Sequence, residues 1–162
     1  MKSLKTLFLI LASMSFMTVI GGAIYEHIAV VPRWKLAPPA SLTMVQGPYG
    51  LNSGPFWMSI HPITLVLLIA ALLTNWKNPR RKFILSNIAG YALVLLCTAT
   101  WFVPELMSIL HTPYSIQIDE RLVARADLWE KLSLLRLVFI LPLAAILLLA
   151  LTKGNEQGRN SA

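Results

Sequence analysis

The chain has 162 residues, of which 56% are hydrophobic and 13% charged, with a formal net charge of +7 and a single cysteine. Such a balance excludes an ordinary soluble domain, since a domain of this size still exposes roughly a third of its unfolded-chain surface and could not hide four long apolar runs. The lone cysteine excludes an intrachain disulfide and a thiolate metal cluster, and basic residues clustered beside apolar runs rather than along one face argue against a nucleic-acid partner.

The first apolar run extends from Leu7 to Val31. Lys2 and Lys5 before it, with Gly21 and Ala23 within it, also resemble a signal peptide; the run outlasts the ~7 to 15 residues of such a segment, so retention as a helix is expected. Residues 32–56 follow, with Pro32, Pro38, Pro39, Pro48 and Pro55 among glycines, which favours turns and a loop folded over the bundle mouth. The second run covers about Phe56 to Trp76 and the third Phe83 to Val103, where Cys97 reads as a small buried packing residue. Pro104 and Pro113 then predict a break, and Ile118, Leu122, Arg125, Leu128 and Trp129 an amphipathic segment at the interface, before a fourth run from Leu132 to Leu151.

Each run supplies the ~20 residues that cross a ~30 Å hydrocarbon core, and lipid offers the backbone no hydrogen-bond partner, so each must be helical. The predicted fold is all-α: one integral membrane domain over residues 1–162, an antiparallel bundle of four transmembrane helices (7–31, 56–76, 83–103 and 132–151) with the lipid bilayer as its solvent. Lys2, Lys5, Lys77, Arg80, Arg81, Lys82, Lys153 and Arg159 fall at the N-terminus, second loop and tail, with Glu156 the only acid among them, whereas the other two loops are charge-balanced. That asymmetry predicts a multi-pass protein of the bacterial inner membrane with both termini cytoplasmic.

Ionisable groups are costly at membrane depth and therefore mark functional positions. Here they gather at one end: Glu26 and His27 on the first helix, His61 on the second, Glu105 and then His111 after the third, and Arg136 on the fourth. Helical periodicity aligns Glu26 with Ser15, Thr18 and Gly22, His61 with Trp57 and Thr64, Glu105 with Asn87, Tyr91, Thr98 and Trp101, and Arg136 with Trp129 and Ser133. His27 lies about 100° away from Glu26. Glu26, His27, His61 and Glu105 are oxygen and nitrogen donors suited to a transition metal ion (Fe, Cu, Mn or Zn), although no pair has a diagnostic spacing. A haem between His27 and His61 is the competing cofactor and fits less well, with no C-x-x-C-H motif to attach it. The plainer alternative is a structural network in which Arg136 pairs with Glu26 or Glu105 and the histidines bond at the interface. Trp34, Trp57, Trp101 and Trp129 fall where an aromatic belt is expected.

The segments "GGAIYEHIAVVPRW" (21–34), "WFVPEL" (101–106) and "LWEKLSLLRLV" (128–138) resemble the anthrone oxygenase-like proteins, small four-helix membrane proteins of bacteria and fungi. Some fungal members with this pattern oxidise polyketide anthrones to anthraquinones. The resemblance places Pro104, Trp129 and Arg136 on family positions, whereas Glu105 stands where the family often has Asn. The expectation is a membrane-embedded, metal-assisted oxidoreductase or oxygenase acting on a lipophilic aromatic or polyketide-like small molecule in an external pocket. Arg136 and Glu105 would be catalytic there, with Trp129 beside the bound group. A non-catalytic accessory or scaffold subunit of a membrane complex is the alternative.

Overall fold

The computed structural model describes residues 2–153, with side chains from residue 4 onward; the tail charges Glu156 and Arg159 and the side chain of Lys2 lie outside the described residues. Among the described residues four helices are long and apolar enough to cross a membrane: α1 (Leu4–Trp34), α2 (Gly54–Thr74), α3 (Arg81–Leu110) and α4 (Glu120–Thr152). They form the all-α four-helix bundle expected from the apolar runs.

Two expectations about boundaries are corrected. Pro104 does not end the third helix, and the segment from Glu120 onward is not a separate interfacial element but the first three turns of α4. The reason for α4's early start is a cap: the Asp119 side chain accepts from the backbone N–H groups of Arg121 and Leu122, at 2.9 and 3.2 Å, satisfying donors that otherwise have no partner.

How α1 and α3 continue through proline is visible in their backbones. Proline offers no N–H and its ring presses on the carbonyl four residues earlier. Both helices widen just before it: Glu26–Val30 precedes Pro32 and Thr98–Phe102 precedes Pro104 as π-helical turns, with Val31 N–H reaching Glu26 O and Val103 N–H reaching Thr98 O, five residues back. Each wide turn absorbs an extra residue and rotates the helix beyond it. Pro62 and Pro142 also lie inside helices, which run on as α-helix.

Two ties fix which helix ends lie together. At one end the buried Arg80 donates through Nε to Lys153 O at 2.9 Å and through a terminal nitrogen to Thr6 Oγ1 at 3.2 Å, joining the start of α1, the α2–α3 turn and the end of α4. A cation on the last carbonyls of α4 also complements that helix's negative pole. At the other end Gln46 Nε2 donates to Leu110 O and Thr112 O, at 2.7 and 2.9 Å, and Lys35 pairs with Asp127 and Glu130. The α1–α2 loop is thereby fastened across the ends of α3 and α4, over the bundle mouth.

The central core holds Leu9, Phe16, Leu68, Ile84, Tyr91 and Leu147; a second cluster under the loop holds Trp34, Leu42, Phe102, Ile109, Leu122 and Trp129. Many other large apolar side chains, including Leu93, Leu96, Leu135 and Val138, face outward, as lipid solvent allows. Cys97 is one of the outward residues, which corrects its expected burial: Val94 and Thr98 take the inward face, and Cys97 is rotated from it.

Candidate functional site

The site lies beneath the α1–α2 loop, at the level of the two π turns. Glu26, in the π turn of α1, accepts on Oε1 from Trp57 Nε1 of α2 at 2.9 Å. Gly22, one turn earlier, makes room for this pairing, because a Cβ there would fall 2.6 Å from the Phe56 ring and 3.4 Å from Trp57. The Trp57 ring stacks on His61, centroids 5.2 Å apart and planes 23° apart, and His61 Nδ1 lies 2.6 Å from the Tyr91 hydroxyl of α3. Below them Ser15 and Thr64 share a buried hydrogen bond of 2.6 Å between α1 and α2.

Arg136 of α4 is half-buried on the other side of the site. Its two terminal nitrogens donate to Thr98 Oγ1 and Ser133 Oγ, each at 2.9 Å, and its guanidinium carbon stands 4.2 Å from the centre of the Phe102 ring. Among the described residues Arg136 forms no salt bridge. A guanidinium carries five N–H donors, of which two are used here.

His27, next to Glu26, turns to a different neighbour. Its ring stacks on Trp129 of α4, 6.4 Å between centroids, and its Nδ1 lies 2.8 Å from Ala23 O. A carbonyl only accepts, so Nδ1 carries a hydrogen; Nε2 is buried without a partner among the described residues. Trp129 donates its own Nε1–H to Phe102 O, at 2.9 Å, inside the π turn of α3.

Glu105 stands apart from this group. It accepts from Arg125 Nε at 2.8 Å, while the same guanidinium reaches Ser108. Sequence periodicity placed Glu105 with Tyr91, Thr98 and Trp101, but the π turn shifts the register by one residue. Phe102 takes the buried position instead of Trp101, and Glu105 is rotated toward the start of α4. His111 is exposed beyond the end of α3. Among the described residues no three His, Cys, Asp or Glu side chains gather as a metal ion would require. Tyr91, which periodicity put on the inward face of α3 without a role, is the functional candidate that sequence reasoning passed over; its four-residue step from Asn87 was the available signal.

Compared with known proteins, the chain matches no family model, no curated protein and no solved structure.

Proposed function

We propose that the protein is a membrane-embedded oxygenase-type catalyst that takes a lipophilic aromatic or polyketide-like molecule bearing an acidic C–H conjugated with a carbonyl, in keeping with the anthrone oxygenase-like resemblance. The observation that carries the reading is Arg136: a half-buried cation satisfied by two neutral hydroxyls and an aromatic face, with donors left over and, among the described residues, no salt bridge to a carboxylate. Such a group is set up to receive an anionic oxygen, and a guanidinium fork suits an enolate well. Glu26 supplies the base. Its Oε1 is anchored by Trp57, while Oε2 makes no hydrogen bond among the described residues.

In this reading Glu26 takes the proton from the activated carbon and Arg136 holds the enolate oxygen. The enolate gives its electrons to dioxygen and forms a hydroperoxide at that carbon, with the proton returned from Glu26. Loss of water leaves a new carbonyl, so one dioxygen is consumed and one water released per substrate. Glu105, locked to Arg125, takes no part. No step is routed through a metal, and Trp129 shapes the site through Phe102 and His27.

Oxygen uptake and anthraquinone absorbance, followed with detergent-purified protein and anthrone, test the reading. Equimolar uptake above the spontaneous rate is expected, falling ~100-fold or more in Glu26→Gln, the range for loss of a general base. A rate no higher than spontaneous autoxidation would overturn it and favour the accessory-subunit alternative.

For placement, we infer that the end carrying the exposed Lys77, Arg81 and Lys82 faces the cytoplasm of a bacterial inner membrane, with the Arg136 site toward the outer side. A phosphatase fused after Lys153 should be inactive; activity would reverse the orientation.

A further inference from the structure

Two readily oxidised side chains of the site each stand within hydrogen-bond distance of a base. Trp57 Nε1–H points at the Glu26 carboxylate at 2.9 Å, and the Tyr91 oxygen lies 2.6 Å from His61 Nδ1. Their rings form a continuous series, with 5.2 Å between the centroids of Trp57 and His61 and 6.0 Å between those of His61 and Tyr91. We propose that these residues form an electron relay in which Tyr91 is reversibly oxidised to a neutral phenoxyl radical while His61 holds its proton.

The argument starts from what phenol oxidation needs. A phenol that loses an electron becomes a very strong acid, so it oxidises easily only where a base can take the proton at the same moment. Tyr91 is fully buried and contacts no solvent. His61 Nδ1 is the base in contact with its oxygen. Because a phenol, with a pKa of ~10, is a far stronger acid than a neutral imidazole N–H, the hydroxyl donates and Nδ1 accepts in the resting pair. The short distance lets the proton move without rearrangement of either helix. Trp57 is half-buried one turn before His61, with its own proton acceptor in place.

The steps balance. A one-electron oxidant takes an electron from the Trp57 indole, and the Nε1 proton passes to Glu26. Trp57 then recovers an electron from Tyr91 and its proton from Glu26, while the Tyr91 hydroxyl proton moves to His61. The net change is one electron to the oxidant, a phenoxyl radical at Tyr91 and an imidazolium at His61. An oxygen-centred radical of a lipophilic molecule, such as a peroxyl, is the fitting oxidant class: with that electron and one proton from water it becomes a hydroperoxide. The relay rests on these four side chains and not on the substrate reading above.

The test uses detergent-purified protein, a photogenerated ruthenium(III) tris-bipyridine oxidant and electron paramagnetic resonance. Three of the four tyrosines, Tyr25, Tyr49 and Tyr114, are exposed, so the background variant is Tyr25→Phe, Tyr49→Phe, Tyr114→Phe. It should give a tyrosyl signal that vanishes on adding Tyr91→Phe. His61→Gln keeps a hydrogen-bond acceptor but cannot hold the proton, and should cut the radical yield by at least about tenfold, the factor set by ~1.4 kcal/mol. Should His61→Gln fail to fold, the background variant still decides: radical formation must be slower in D2O than in H2O, because proton and electron move together. No tyrosyl signal in the background variant, a yield indifferent to His61→Gln, or equal rates in the two solvents would overturn the relay.

Discussion

The guanidinium of Arg136 lies 4.2 Å from the centre of the Phe102 ring and is bonded to hydroxyls, not to a carboxylate. Phe102 reaches that position because the π turn beneath Pro104 rotates it inward in place of Trp101. A cation above a ring face gains some attraction, but less than an ion pair would return for its desolvation.

Stability should therefore not depend on the charge. Arg136→Met keeps much of the volume and removes a desolvated cation that no ion pair compensates, so the exchange should be neutral or stabilising. The thermal midpoint in detergent should hold or rise. A clear fall would mean that Arg136 is held by a carboxylate after all, as the plainer reading of the sequence has it.

Gly90 and Gly21 should respond oppositely to a side chain. A Cβ on Gly90 would sit 2.6 and 2.9 Å from the two Cδ atoms of Leu143, which is 7% exposed, so that buried side chain must shift to admit it. Gly90→Val should cost ~1 to 3 kcal/mol by overpacking. Gly21 meets nothing within 4 Å, and Gly21→Ala should be neutral or gain up to ~1 kcal/mol from helix propensity. Thermal melts of the two variants check the contrast.

The Lys35 tie predicts an alkaline limit. Bonds to Glu130 and then to Asp127 hold its ammonium above the ordinary lysine pKa, against the smaller opposing effect of burial. A group raised on folding stabilises fully below its unfolded pKa, ~10.4, and that contribution is lost as pH climbs through the folded value. The melting difference between wild type and Lys35→Met should therefore stay constant from neutral pH to ~10 and shrink above it. Far-ultraviolet circular dichroism follows the melts. A difference that persisted above that range would assign the effect to packing of the lysine stem.

Much of this arrangement was legible in the residues. Runs of twenty apolar side chains have one solution in lipid, so the four helices followed, and three-and-four spacing correctly grouped Trp57 with His61 and Thr64, and Ser133 with Arg136. What failed did so beyond the prolines. Extrapolating α3 past Thr98 assumes an unbroken α register, and the π turn at Thr98–Phe102 removes one residue's worth of rotation, which took Glu105 out of the group and gave it to Arg125. The same device in α1 leaves the neighbours Glu26 and His27 facing Trp57 and Trp129 on different helices. Proline in an apolar run announced a break, whereas the backbone absorbed it with a wide turn. The cap at Asp119 was also readable, as an acid directly before Glu120, yet the charges after it disguised the start of α4 as an interfacial segment.

The central claim is that Arg136 receives an anionic oxygen from a lipophilic ligand, and paired titrations by calorimetry test it most directly. A hydroxyanthraquinone in its anionic form and uncharged anthracene share a ring system but not the charge. Detergent-purified wild type should bind the anion more tightly, and Arg136→Met should weaken the anion by about 30-fold or more, the equivalent of the ~2 kcal/mol lower bound for losing one partner of a buried charge pair, while leaving anthracene unchanged. Equal affinity of wild type and Arg136→Met for the anion would contradict the account.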